Sequence, residues 1–493
     1  MNIFIQIFGK IIAPAANRFN RALKNPELTQ KNLQKELFQR FAQSEYGKSL
    51  NITHWRQIPI VEYQDIESRI NKLTTEPIIF YEKTSGSRSA AKLIPYTKAL
   101  RRSFNHMFCV WAHDLIVNGP KFSTGRIYFC ISPQLTPPTD VTTLQDDSEY
   151  LDGWLRAILS PFLVSPPGIQ HIQNAEEFKH KLSQALLLAE NLEIISIWSP
   201  SFLKVILDYI QTHHKQLAES LKTKISAERY NLLLEAPQYH KVWRHLKLIS
   251  CWDSANAADG AQTLRKLFPG VLVQGKGLLA TEAPMTIPLI PANGCVPMLD
   301  EVFFEFEDEK GNIHLLHELK KAEVYEIIIS QKGGLCRYRI KDRVCVTHFY
   351  HATPCLEFIG RTQEISDLVG EKLHSEFVRQ VLDNLALAET NFKTFIPTHI
   401  PTARYILLLD TANTDTLELA EKLDMLLQQS PQYRHARLLG QLAPASIIVN
   451  PHAAEILSLN KTREGKKWGD LKHDILNTAP VSRELLSELS NVF

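Results

Sequence analysis

Short apolar runs alternate with amphipathic stretches from about residue 76 to 360, and this pattern limits the folds open to the chain more than any other feature. The runs at Ile78-Ile79-Phe80-Tyr81, IYFCIS (127–132) and VLVQ (271–274) have the length and side-chain types of buried strands, whereas 175–191 and 201–222 have helical spacing. Strands and helices in that order fold as α/β layers, because each element must bury one face against another. Between Glu301 and Phe349 the texture becomes strand-rich: VFFEFED, a turn at Glu309-Lys310-Gly311-Asn312, IHLLHEL, VYEIIIS, a Gly333-Gly334 turn and LCRYRI. A β meander is predicted there. Residues 1–75 read as a helical cap, with Leu33, Leu37 and Phe41 on one face. After Gly360 the polar run RTQEISDLVGEKLHSE precedes a unit whose RYILLLD (404–410), helix (416–429) and ASIIVN (445–450) predict βαβ-like packing. The expectation is an α/β protein: a large layered N-terminal domain with a β-rich section, residues 1–361, and a smaller α+β C-terminal domain, residues 362–493.

A chain of 493 residues that is 44% hydrophobic and 22% charged exceeds one ordinary core. Its 55 basic and 53 acidic residues leave a formal charge of +2, which provides no broad footprint for nucleic acid or anionic lipid. Small molecules are the expected partners. Seven Cys lack a C-x-x-C pair and do not form a disulfide framework, so a reducing cytoplasm is the expected location. The apolar run from Ile3 to Ile12 has no basic segment before it and reads as a helix packed on the body, not as a signal peptide. No segment approaches the ~20 apolar residues of a membrane span.

Glycine is scarce, 20 of 493 residues, so its clusters carry weight. Thr84-Ser85-Gly86-Ser87-Arg88-Ser89-Ala90-Ala91-Lys92 offers backbone N–H groups, hydroxyls and a mobile cation, the chemistry that holds a triphosphate. It lacks Walker spacing, and alone it is also compatible with a surface turn. The segment Gln274 to Glu282 formally matches a dinucleotide G-x-G-x-x-A pattern, yet Pro284 and Pro288 deny it the required helix. Thr281 instead offers a hydroxyl to a phosphate and Glu282 a hard oxygen to Mg²⁺; an exposed turn is the alternative. In GGLCRYRIKD (333–342), Asp342 is suited to accept both ribose hydroxyls. Strand alternation places Arg337 and Arg339 on one face and Tyr338 and Ile340 on the other; a hairpin with a solvated basic face is the alternative reading. Cys345, His348, His351 and Cys355 mimic zinc-ligand spacing, but His348 and His351 would face opposite sides of a strand.

In the order TSGSRSAAKLIPYT, GLLATEA, GLCRYRIKD, the chain resembles the Gretchen Hagen family of acyl-acid amido synthetases, a branch of the adenylate-forming superfamily. EYGKSLNITHWRQIPIVEYQDIESRI and ARLLGQLAPASIIVN extend the resemblance over essentially the whole chain. It implies Thr84, Ser85, Gly86, Ser87 and Lys92 as the phosphate loop, Ala280 and Thr281 as nucleotide contacts, and Glu282 as the Mg²⁺ ligand. Asp342 would hold the ribose and Arg361 would be a second nucleotide contact at a hinge. KKWGDLKHDIL resembles the family's ending and selects Lys472 as the lysine that approaches the α-phosphate and acyl carboxylate. Trp252, Asp253 and Ser254 fall where the family lines the acyl and acceptor pocket. The implied activity is ATP-dependent: a carboxylic acid becomes an acyl-adenylate, and an amine, usually of an amino acid, takes the acyl group. A thioester-forming ligase and a nucleotide-binding regulator without catalysis are the rival readings. The chain departs from the family pattern at Ser89, where a second Gly is usual, at Leu278, where an aromatic often stacks on adenine, and at His473-Asp474, where Pro-Arg is common.

Overall fold

A computed structural model describes residues 3–83, 92–130, 153–164, 166, 168–172, 174–235, 237–361, 365–385, 387, 390–411, 415–463 and 471–490. The chain opens with the helix Ile3–Lys24, which buries Ile5, Ile12, Phe19 and Leu23 and packs on the helix Lys98–Asn118. A second helix, Pro26–Gln43, begins with a proline in its first turn, where no N–H is needed, and buries Leu33, Leu37 and Phe41. Gln30 fastens this helix to the β-rich section: its buried amide donates to the carbonyls of Leu299 (2.7 Å) and Val302 (2.8 Å) and accepts from the Phe304 N–H (2.9 Å). Gln30→Ala leaves three buried backbone groups without those partners. A loss of about 2 kcal/mol is expected, read as a lower urea midpoint at unchanged m-value.

Four three-residue strands, Ile127–Phe129, Ile194–Ser196, Leu248–Ser250 and Leu272–Gln274, lie side by side and parallel. Helices including Ala175–Leu188, Pro200–Leu221 and Ala258–Leu267 supply the cover that a parallel sheet needs. Phe178, Leu182, Ile195, Phe202, Ile206, Trp243, Ile249 and Phe268 fill the core between the layers. The strands' carboxyl ends, at Ser196, Ser250 and Gln274, share one edge of this sheet, the edge at which open α/β sheets take ligands.

The predicted meander is a five-stranded antiparallel sheet in the order 313–315, 302–307, 324–331, 338–350, 353–361. Two local expectations are corrected. IHLLHEL is a strand only over Ile313–Leu315, after which a 3₁₀ turn carries Leu316 into the core. The supposed solvated face at Arg337 and Arg339 is instead internal. Arg337 precedes the strand with φ +48° and points inward, donating to both carboxylate oxygens of buried Glu305 (2.9 Å each) and to the Ile58 carbonyl (2.7 Å). Arg339 is paired with Glu307 and Glu326 from neighbouring strands. The partners come from residues far along the chain, so the strand's own alternation cannot display them. His348 lies in the strand and donates from Nε2 to the Ala292 carbonyl at 2.7 Å, while His351 occupies the hairpin turn with φ +54°.

Beyond Arg361, strands Lys393–Thr398 and Arg404–Leu409 pair antiparallel, and Ser446–Val449 adds in parallel to the second. The helix Thr416–Leu427 lies between the parallel strands in sequence, as the βαβ expectation required. Phe395, Tyr405, Leu407, Leu423, Leu427 and Tyr433 form a core of their own. Ion pairs Lys179–Glu455 (2.7 Å) and Lys393–Asp259 (2.8 Å) join this unit to the helices over the parallel sheet. No helix among the described residues is long and apolar enough to cross a membrane.

Candidate active site

Thr281 and Glu282 form the two-residue turn of a hairpin made by Leu279–Ala280 and Ala283–Pro284. The hairpin is tied down from both sides: the Tyr96 hydroxyl donates to the Thr281 carbonyl (2.8 Å), and the Leu278 N–H donates to Thr286 Oγ1 (2.7 Å). Glu282 is buried, and burial pushes its carboxyl above the usual range, opposed chiefly by the charge of Lys92. A carboxylate held in this way has unsatisfied demand for a cation.

Lys92 precedes the strand Leu93–Thr97, which pairs antiparallel with Ile78–Lys83. Thr84, Ser85, Gly86, Ser87 and Ser89, between these strands, lie outside the described residues. The Lys92 ammonium donates to the Tyr338 hydroxyl at 3.0 Å and lies 5.8 and 5.6 Å from the ring centres of Tyr63 and Tyr338. Tyr63 is brought there because Val61 joins the edge at Tyr338: the Val61 N–H donates to Arg337 O (3.1 Å) and the Arg339 N–H to Val61 O (2.8 Å). Desolvation lowers the Lys92 pKa; Glu282 opposes that shift, while Arg361 and Lys341 add to it.

Asp342 and Arg361 face one another across adjacent strands, and the Arg361 Nε donates to Asp342 Oδ1 at 2.7 Å. Asp342 is buried, and its charge raises the Arg361 pKa further. Lys472 arrives from the far end of the chain. Leu471 is buried in the core of the parallel-sheet layer, while on the other side the Phe395 N–H donates to Ile475 O (2.7 Å) and Asn477 donates back to Phe395 O (2.8 Å). His473 anchors the segment: Nε2 lies 3.1 Å from Ser458 Oγ, its ring meets Phe392 edge-on at 5.0 Å, and burial lowers its pKa to about 3. Lys472 is exposed as a residue, while desolvation, with Arg361 adding to it, lowers the pKa of its ammonium. Asp342, Asp474 and Glu282 act on it in the opposite sense.

The sheet edge closes the other side of the site. Lys472 Nζ lies 4.6 Å above the Trp252 ring, which tilts against Trp198 at 5.6 Å. Asp253 does not face this group: it pairs with Arg265 (3.3 Å) and accepts from the Gly275 amide. Ser254 caps the short 3₁₀ turn Ala255–Ala257. The structure thus collects Lys92, Glu282, Asp342, Arg361 and Lys472, with Ala280 and Thr281 on the hairpin and Trp252 at the rim. The sequence reading missed Trp198, which lies outside its motifs, and assigned no part to Tyr63, Tyr96, Tyr338 or Lys276, which lie inside the segments it singled out. Three cations converge on two buried carboxylates, an arrangement that attracts a polyanion and leaves acidic oxygen available for a divalent ion.

Two family models match the chain: the GH3 family N-terminal domain over residues 15–238 and the GH3 family central domain over residues 295–361. A "probable indole-3-acetic acid-amido synthetase GH3.1" of Arabidopsis thaliana is 21% identical over 435 residues, covering 76% of this chain and 73% of the relative. A human "GH3 domain-containing protein" is 24% identical over 231 residues, covering 42% of this chain and 44% of the relative. Among solved structures, an "AtGH3.15 acyl acid amido synthetase in complex with 2,4-DB" superposes with a TM-score of 0.79 at 18% identity, covering 97% of this chain and 95% of that one. A 2-hydroxyisobutyryl-CoA ligase in the postadenylation state gives a TM-score of 0.56 at 13% identity, covering 95% and 93%.

Proposed function

The chain belongs to the GH3 family, and from that premise we propose that it is an ATP-dependent acyl-acid amido synthetase. It activates a carboxylic acid as an acyl-adenylate and transfers the acyl group to the amine of an amino acid. The observation that carries this reading is the convergence of Lys92 and Lys472, 380 residues apart, on the same Glu282, Asp342 and Arg361. In step one a carboxylate oxygen attacks the α-phosphorus of ATP and pyrophosphate leaves. Lys92 and Lys472 stabilise the charge that develops on phosphorus and carboxylate oxygens, which in a desolvated site is worth far more than in water. Asp342 holds the ribose, with Arg361 orienting it and contacting the nucleotide, and Thr281 with the loop Thr84–Ser87 completes the phosphate contacts.

Glu282 fits a Mg²⁺ ligand, because Mg²⁺ in nucleotide sites takes one or two carboxylates plus phosphate oxygens, and Glu282 is a buried carboxylate beside the proposed phosphate path. When bound, the ion would neutralise phosphate charge. In step two the deprotonated amine attacks the acyl carbonyl, AMP leaves, and the proton from nitrogen passes to solvent. Residues 362–493 act as a mobile C-terminal domain on the unit formed by 1–361, turning about 361–372 to withdraw Lys472 between the steps. Trp252 lines the acyl and acceptor pocket; Asp253 and Ser254 shape its wall.

Product analysis tests this reading. Protein incubated with ATP, Mg²⁺ and a carboxylic acid panel that includes indole-3-acetate, with either amino acids or coenzyme A, should give amide and AMP by mass spectrometry. Thioester in place of amide would overturn it.

A further inference from the structure

Lys276 lies at the carboxyl edge of the parallel sheet, where the motif reading assigned it no part. A Cβ on Gly275 before it would stand 2.1 Å from Asp253 Oδ1 and displace that carboxylate. Gly277 after it has φ +69°, and a Cβ there would stand 2.6 Å from the Thr286 carbonyl oxygen. Between these two restraints the Lys276 ammonium donates to Ser196 Oγ at 2.7 Å and lies 4.9 Å above the Trp198 ring. Trp198 in turn packs on Trp252, the ring under Lys472. Two ammonium groups therefore flank one tryptophan pair, Lys472 from the C-terminal unit and Lys276 from the sheet. Lys276 and Arg265 both act on the nearby Cys251 thiol, opposed by Asp253, which Arg265 pairs.

Building on the proposed function, we propose that Lys276 is a specificity-determining residue that binds the α-carboxylate of the acceptor amino acid. The chemistry of the two steps assigns the anion. The acid's carboxylate loses its charge on adenylation and is served by Lys472, which is withdrawn afterwards. The acceptor's α-carboxylate stays anionic throughout step two and needs a cation that remains with the adenylate. Lys276 belongs to the sheet and remains. Held there, the carboxylate fixes the α-nitrogen beside the acyl carbonyl, and the tryptophan pair excludes water from the adenylate. A cation fixed by its neighbours before binding also loses little freedom on binding.

The test compares acceptors on one adenylate. Wild-type protein is supplied with its best acid and with the fastest L-amino acid of a panel or that amino acid's α-carboxamide. The wild type should prefer the free carboxylate by about 10- to 100-fold in kcat/KM, the range of a charge-assisted contact. Lys276→Met should bring this ratio to near one, chiefly through the KM of the amino acid, and Lys276→Arg should keep much of it. Because both acceptors draw on the same adenylate, any change in step one or in the amount of folded protein cancels in the ratio. An unchanged ratio in Lys276→Met, with amide still formed by the wild type, would overturn the inference alone; a wild type that makes no amide with either acceptor would overturn the proposed function as well.

Discussion

Lys472→Ala is expected to slow acid-dependent exchange of labelled pyrophosphate into ATP by about 100- to 1000-fold, the cost of removing one preorganised charge-stabilising donor from a reacting oxygen. Aminolysis of a chemically prepared acyl-adenylate should fall far less, because the lysine serves step one. The wild-type pH profile carries a second signature. Desolvation and the neighbouring Arg361 lower the Lys472 pKa, and Lys92 is lowered in the same direction. Both must be protonated to stabilise phosphate charge, so exchange should decline on the alkaline side at a pH below the ~10.4 of an ordinary lysine. Lys472→Arg, whose charge persists, should shift that limb upward even where its rate is lower. Exchange at the parent rate by Lys472→Ala would remove the lysine from step one.

Glu282→Gln separates function from stability in opposite directions. Loss of the hard anionic oxygen should reduce exchange by about 100- to 1000-fold and raise the Mg²⁺ concentration needed for half-maximal rate. The same change should stabilise the protein free of nucleotide by about 1 kcal/mol at neutral pH, since it removes a charge that burial disfavours. The sign follows from the direction of the shift. Glu282 has a folded pKa raised above the ~4.3 of an unfolded chain, so its favourable contribution is complete below that value and is lost as pH rises through the folded pKa. The stability gap between variant and wild type should therefore be widest near neutrality and close on acidification. A variant that loses both activity and stability would make Glu282 a structural group instead.

What could be read from the sequence divides along the line between local pattern and distant partners. The outer strands of the parallel sheet, Ile127–Phe129 and Leu272–Gln274, the helices Ala175–Leu188 and Pro200–Leu221 and the meander announced themselves by length and periodicity, whereas the inner strands Ile194–Ser196 and Leu248–Ser250, only three residues each, were not read. Glu282, Asp342 and Lys92 stood out because the chemistry of their turns and strand ends is local. Arg337 was misread for the opposite reason: its partners Glu305 and Ile58 lie far off in sequence, and nothing in CRYRI reports an inward turn at φ +48°. Tyr63 reaches the site through the strand-edge contact of Val61, Tyr96 through its hydroxyl on the Thr281 carbonyl, and Trp198 because the parallel strand before it ends beside Trp252. Lys276 was present in the reading only as the middle of a false dinucleotide pattern. Its glycines prove to be there for close approach to Asp253 and Thr286.

Carboxylate-dependent exchange of labelled pyrophosphate into ATP reports whether this site makes acyl-adenylates. Exchange should require a carboxylic acid and Mg²⁺, need no amine, and collapse in Lys472→Ala and Glu282→Gln. Purified, folded wild-type protein that shows no exchange above the acid-free blank across a broad panel of aliphatic, aromatic and indolic acids would contradict acyl-adenylate formation at this site.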